Sequence, residues 1–186
     1  MSAAGPSDLD FTMLAEDESP APAIRETPTP AEEDEALIGS RVLATDGFHV
    51  IAARRTTGPA ADPSTQVVLV VDDDLSTGEL AARVLRRAGY QAAVVDNPRG
   101  AARHMTTLGP PALVLLDVQM PGMGGFEFLA RMRANKRVKD TPVILFTVLS
   151  ERRHIVRGLL AGADGYIAKP ITASALIEAV KTVLAA

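Results

Sequence analysis

Cysteine is absent from this 186-residue chain, so disulfides and thiol chemistry are excluded. Histidine is scarce: His49, His104 and His154 are scattered, a poor basis for a zinc site. Aromatic residues make up only 4% while hydrophobic residues reach 47%, so a core must be built from Val, Leu, Ile and Ala. Parallel α/β proteins are often built this way. No apolar run reaches the length of a membrane span, and no basic residue precedes Arg25, so the N-terminus does not read as a secretory signal. The expectation is a cytoplasmic, soluble protein with no membrane insertion.

The net charge of −4 is unevenly spread. Residues 1–35 hold ten acids and one base, residues 36–65 two acids and three bases, and residues 66–186 eleven acids and fifteen bases. An acidic leading segment therefore precedes a mildly basic body.

Three regions follow from composition. Residues 1–35 are rich in Ala, Pro, Ser, Thr and acids, and bury too little apolar surface to offset the entropy of ordering. They read as a disordered tail, with one apolar island from Leu9 to Leu14 that is either a docking motif or a chance cluster. Residues 36–65 admit two readings. Asp46-Gly47 between two apolar runs signals a hairpin. Alternatively, Arg41-Val-Leu followed by Gly47-Phe48 echoes Arg83-Val-Leu followed by Gly89-Tyr90, which suggests a helix–strand unit. Gly58–Ser64 reads as a linker.

From residue 66 to 186 the pattern alternates regularly. Strands are expected at Val67–Val71, Gln91–Val95, Ala112–Leu116, Val143–Phe146 and Tyr166–Ala168. Helices are expected at Leu75–Ala88, Pro98–Leu108, Gly125–Ala134, Ser150–Ala161 (with Ser150 as N-cap) and Thr172–Leu184. Five β–α units in succession imply an α/β fold, a doubly wound parallel sheet covered by helices on both faces.

Ligands in such sheets bind beyond the carboxyl ends of the strands. Asp72, Asp73 and Asp74 follow the first expected strand, Asp117 the third, Thr147 the fourth, and Lys169 and Pro170 the fifth. Taken singly, each has an ordinary explanation as a cap or turn residue. Taken together, they gather carboxylates, a hydroxyl and an ammonium at one edge. Hard oxygen ligands suit Mg²⁺, and without a cation neighbouring carboxylates raise at least one pKa. Asp117 is then positioned to attack a phosphoryl donor, with the charge shared among Mg²⁺, Lys169 and the Thr147 hydroxyl.

These residues resemble the receiver domain of two-component response regulators, CheY-like proteins of flavodoxin-like topology. The resemblance spans residues 67–185. It rests on Val67–Asp74, Leu115-Leu-Asp-Val-Gln-Met-Pro-Gly122, Phe146-Thr147 and Ala161–Pro170, with separations of 44, 30 and 22 residues between Asp73, Asp117, Thr147 and Lys169. It implies a (βα)₅ fold with strand order 2-1-3-4-5. It implies Asp117 as phosphoacceptor, with Mg²⁺ held by Asp73, Asp117, the backbone carbonyl of Gln119 and, largely through water, Asp72. Lys169 would bind the phosphoryl group, and Thr147 with Tyr166 would form a switch that reshapes the face made by the fourth helix, fifth strand and fifth helix.

The partners so implied are a sensor histidine kinase or phosphotransfer protein and an unknown downstream protein. The only chemistry would be self-phosphorylation from a phospho-His donor and slow autodephosphorylation, so the chain is not expected to be an enzyme acting on other substrates. Arg83, Arg86 and Arg87 on the first helix and Arg153 and Arg157 on the fourth are candidate docking residues. Val148 is bulkier than usual beside the switch Thr, and Leu149 offers no polar group to orient water, so slow loss of the phosphoryl group is expected. The chain stops at the last receiver helix, which suggests a stand-alone receiver. A phosphorylation-independent adaptor is the alternative. Nucleic-acid binding through the basic body lacks an aromatic platform or reading motif.

Overall fold

The computed structural model describes residues 29–31, 41–45, 48–52 and 62–184. The expected disorder of residues 1–35 and the Leu9–Leu14 island lie outside these residues, save for 29–31. In chain order the elements are β1 (Arg41–Thr45), β2 (Phe48–Ala52), β3 (Val67–Val71), α1 (Leu75–Arg87), β4 (Gln91–Val95), α2 (Pro98–Leu108), β5 (Leu113–Leu116), α3 (Gly125–Ala134), β6 (Val143–Thr147), α4 (Arg152–Leu160), β7 (Gly165–Ala168) and α5 (Ala173–Leu184).

Strands β3 to β7 are all parallel and stand in the order β4-β3-β5-β6-β7, which is 2-1-3-4-5 counted from β3. Their residues are apolar on both sides because both faces are covered. Leu69, Val71, Val114, Leu116 and Leu145 face a cluster shared with Met105, Phe128, Leu129 and Met132, contributed by α2 and α3. Val68, Val70, Leu113, Leu115 and Ile144 face α1 and α5 through Leu85, Leu176 and Val180. The period of two along each strand thus divides the core into two layers.

Two further strands extend this sheet. β1 pairs antiparallel with β2, on either side of residues 46 and 47, which lie outside the described residues. β2 in turn pairs antiparallel with β7, matching Val50 to Ile167, Ile51 to Tyr166 and Ala52 to Gly165. The sheet therefore has seven strands, and its outer edge on this side is β1 rather than β7.

Several boundaries differ from those expected. Ser150 is not the N-cap of α4. The Glu151 carbonyl accepts from the N–H groups of His154 and Ile155, so the helix starts one residue later. The Glu151 side chain pairs with Arg153 at 2.8 Å instead of capping. Thr147 is the last residue of β6 rather than the first beyond it, because its carbonyl accepts from the Lys169 N–H at 2.7 Å and so continues the ladder.

The side of the fold remote from the strand carboxyl ends is fastened by Arg133. Its guanidinium donates to the carbonyls of Lys139, Thr141 and Gly162 and to Asp164 Oδ2 at 2.8 Å. The same Asp164 oxygen accepts from the Val143 N–H at 2.9 Å. Removing the cation leaves a nearly buried carboxylate without its counter-charge and takes a donor from each of three carbonyls. Arg133→Ala should lower unfolding free energy by about 3 kcal/mol in urea titrations, and Arg133→Lys should recover only part, since an ammonium cannot span all four acceptors.

Candidate functional site

Each parallel strand delivers its next residue to one edge of the sheet, and there the acids meet. Carboxylate oxygens of Asp72, Asp73 and Asp117 all lie within 4.8 Å of one another. The Lys169 ammonium reaches in from the end of β7, donating to Asp72 Oδ2 at 2.7 Å and to Asp117 Oδ2 at 3.0 Å. It also sits 4.7 Å from the centroid of the Phe146 ring, a cation–π contact that steadies it from the other side.

The three consecutive acids divide their roles. Asp74 is the N-cap of α1: its Oδ1 accepts from the N–H groups of Ser76 and Thr77, and its Oδ2 from the Thr77 hydroxyl. The bland reading of an acidic turn is therefore right for this one residue. Asp72 is almost fully buried, and its Oδ1 accepts from the Asp74 N–H. Burial pushes its carboxyl above the ordinary range. The Lys169 bond and charge pull it down, and the charge of Asp117 adds to the rise. Asp73 is exposed at the rim.

Asp117 is 8% exposed. Its Oδ1 accepts from the N–H groups of Val118 and Gln119 at 2.6 and 3.2 Å. Among the described residues Oδ2 accepts from the Lys169 ammonium. Gln119 itself is exposed, and it meets the site through its N–H.

Thr147 is fully buried at the end of β6, level with Ala168 in the register with β7. Its hydroxyl accepts from the Leu149 N–H at 3.4 Å. The Tyr166 ring is turned inward and fully buried, and its hydroxyl donates to the Leu149 carbonyl at 2.6 Å. Burial first, and the charge of Asp117 second, push the phenol well above its ordinary value, so it remains a donor. Leu149 packs against the core. Val148 is 59% exposed and lines a groove.

The candidate docking arginines are not equivalent. Arg83 and Arg87 are exposed. Arg86 is held by its own domain, donating to the Ala92 carbonyl at 3.0 and 2.8 Å and to Glu79 at 3.0 Å. Arg153 pairs with Glu151, and Arg157 lies 4.5 Å from the centroid of the Phe126 ring.

Two glycines that the sequence motifs do not single out prove to shape the site. A Cβ on Gly125 would lie 2.0 Å from the Asp117 carbonyl oxygen, so only glycine lets α3 start this close to the acid. A Cβ on Gly158 would meet the Tyr166 ring at 3.1 Å and the end of the Leu145 side chain at 2.5 Å, so this glycine makes the seat for the inward ring.

Comparison with known proteins agrees with this geometry. Residues 68–181 match the family of the response regulator receiver domain. The chain is 34% identical over 120 residues to the phosphate regulon transcriptional regulatory protein PhoB of Pseudomonas aeruginosa, covering 64% of this chain and 52% of that protein. It is 38% identical over 120 residues to the DNA-binding response regulator MtrA of Mycobacterium bovis, covering 64% and 51%. The chain thus spans about half the length of the curated relatives it matches. Among solved structures, a chemotaxis protein of Vibrio cholerae aligns with a TM-score of 0.60 at 29% identity, covering 64% of this chain and 98% of that one. A putative response regulator from Chloroflexus aurantiacus aligns with a TM-score of 0.62 at 30% identity, covering 65% and 98%.

The Gly125 contact gives a direct check. Gly125→Ala should cost about 3 kcal/mol of unfolding free energy, because backbone rather than a mobile side chain must give way. Gly124→Ala meets only the Val118 carbonyl at 3.4 Å and should cost no more than about 1 kcal/mol, the loss of a favourable N-cap. Equal losses would show that the approach of α3 to Asp117 is not the constraint.

Proposed function

The chain belongs to the response regulator receiver family, and from that premise we propose that it takes a phosphoryl group on Asp117 from a phospho-His donor, with Mg²⁺. The observation that carries this reading is the joint hold of Lys169 on Asp72 and Asp117 beside Asp73. In the reaction, Asp117 Oδ2 forms a bond to phosphorus as the bond from phosphorus to the donor imidazole nitrogen breaks. The Lys169 ammonium shifts from the carboxylates to a phosphoryl oxygen, and the Thr147 hydroxyl donates to another. The donor is a sensor histidine kinase or phosphotransfer protein, and the chain's own chemistry is confined to gaining and losing this group.

The acid cluster suits the cation. All donors are hard oxygens, the class of ligand that Mg²⁺ takes, and those of the three acids lie within 4.8 Å of one another. Asp73, Asp117 and the Gln119 carbonyl would hold the ion directly, and Asp72 through water. Mg²⁺ supplies charge neutralisation and a hold on a phosphoryl oxygen.

A groove of about 570 Å³ lies beside Lys169, between α1 and the segment after β7, and is lined by Leu80, Val84, Val148, Ile171 and Leu176. Leu80 is 62% exposed, and Arg83 and Arg87 lie on the same helix. This apolar groove with a cationic flank is the docking place we assign to the phosphodonor. Output then passes through the face of α4, β7 and α5, where Thr147 and Tyr166 connect to the site. The inward Tyr166 ring favours one second reading, a receiver-fold adaptor that needs no phosphorylation.

Labelling with acetyl phosphate and Mg²⁺ should give one hydroxylamine-sensitive phosphoryl group, lost in Asp117→Ala. Labelling that survives this change would sink the proposal, whereas unlabelled protein that still binds its partner would favour the adaptor.

Protons should compete with Mg²⁺. Asp72 attracts the ion and its bound water only when ionised, and it keeps its proton to higher pH than an ordinary carboxyl. Mg²⁺ affinity measured by calorimetry should therefore already fall at pH values above the usual carboxylate range. In the metal-free fold the same proton uptake has the opposite consequence. The folded state binds more protons than the unfolded chain in that window, so the contribution of Asp72 to stability falls as pH rises through it. Asp73→Asn should weaken Mg²⁺ by more than roughly tenfold.

A further inference from the structure

The seven-stranded sheet raises a question that the receiver reading does not answer, namely what the two added strands do. β7 is four residues long and is held on both edges, by β6 in parallel and by β2 antiparallel. Three connections leave this one short strand. Outward, Gly165, Tyr166 and Ile167 are in register with Ala52, Ile51 and Val50. Inward, the Tyr166 hydroxyl holds the Leu149 carbonyl in the segment after Thr147. At its end, Lys169 bonds both Asp72 and Asp117.

We propose that the outer edge of β7 is an interaction surface which this chain fills with its own residues Phe48–Ala52, and that this pairing and phosphorylation of Asp117 oppose one another. The inference rests on the phosphoacceptor reading above. With the ladder to β2 in place, the ammonium at the end of β7 bonds the two carboxylates. A phosphoryl group on Asp117 draws the ammonium and the Thr147 segment to new positions, and β7 lies between them and the hairpin. An arrangement that favours one state is weakened by whatever binds the other, by the same factor in both directions.

The consequence is an occupied output face. An unpaired strand edge is a template for another strand, and here the edge of β7 is already taken, with β1 as the new rim. Phosphorylation loosens the hairpin and opens the edge of β7 between α4 and α5 to an incoming partner. Before that, the hairpin keeps the face closed.

The test uses the full chain with Mg²⁺ and beryllofluoride as the phosphoryl mimic, with bound fluoride followed by ¹⁹F NMR and amide exchange by mass spectrometry. Exchange over Phe48–Ala52 should rise by roughly fivefold or more on binding. Val50→Pro places a proline inside β2, where a strand paired on both edges does not tolerate it, and should bind beryllofluoride more tightly by a similar factor. Unchanged exchange at Phe48–Ala52 while fluoride is bound would overturn the proposal, as would equal affinity in a folded Val50→Pro protein. Should that variant fail to fold by circular dichroism, the exchange result on the natural chain decides alone. Absence of bound fluoride in the natural chain would instead overturn the phosphoacceptor reading, and this inference with it.

Discussion

The Lys169 ammonium stands between two carboxylates that belong to different strands, 2.7 Å from Asp72 and 3.0 Å from Asp117. Like charges so close in a mostly buried place repel, and a counter-charge must offset that repulsion. Much of the surrounding structure serves to keep this arrangement. β3 and β5 deliver the acids side by side, β7 delivers the lysine, and the Phe146 ring backs the ammonium. Two backbone N–H groups fix Oδ1 of Asp117, and Oδ2 accepts from the lysine. The site is thus a balance of charges in which one ammonium offsets two carboxylates.

β7 is where chemistry and surface meet. It is the shortest path from the charged edge to the outside of the sheet, and it carries the lysine, the buried tyrosine and the contact with the added hairpin. Tyr166 can lie inward because Gly158 leaves room on α4. Helix position and ring position are therefore tied by packing: interiors are dense enough that a shift on one side must be met by the other.

Much of this was legible in the sequence, for reasons that can be named. Runs such as Val67–Val71 and Leu113–Leu116 carry no polar residue, and only a sheet covered on both faces accommodates them. Five such runs alternating with amphipathic helices leave few topologies, and a parallel order brings all carboxyl ends to one edge. That is why Asp72, Asp73, Asp117, Thr147 and Lys169 could be placed together before any coordinates. Less legible were the partners chosen by individual side chains. Arg86 reads as a candidate docking residue, and its bonds to the Ala92 carbonyl and Glu79 could not be read from the sequence. Ser150 looked like a cap, but the helix begins after Glu151. That Val148 lines the groove beside α1 was likewise not legible from its place next to Thr147.

The sequence by itself determined the class of fold, the edge at which the acids gather and the identity of the charged groups there, because strand periodicity and residue chemistry are local properties. Only the tertiary structure decided that Asp74 caps a helix while Asp72 joins Lys169, that Gly125 must be glycine and Gly158 gives the Tyr166 ring its seat, and that Phe48–Ala52 pairs with β7. Those outcomes depend on distances between segments far apart in the chain. Hydrophobic patterning fixes which face is buried, but not which neighbour a given edge, ring or carboxylate will meet.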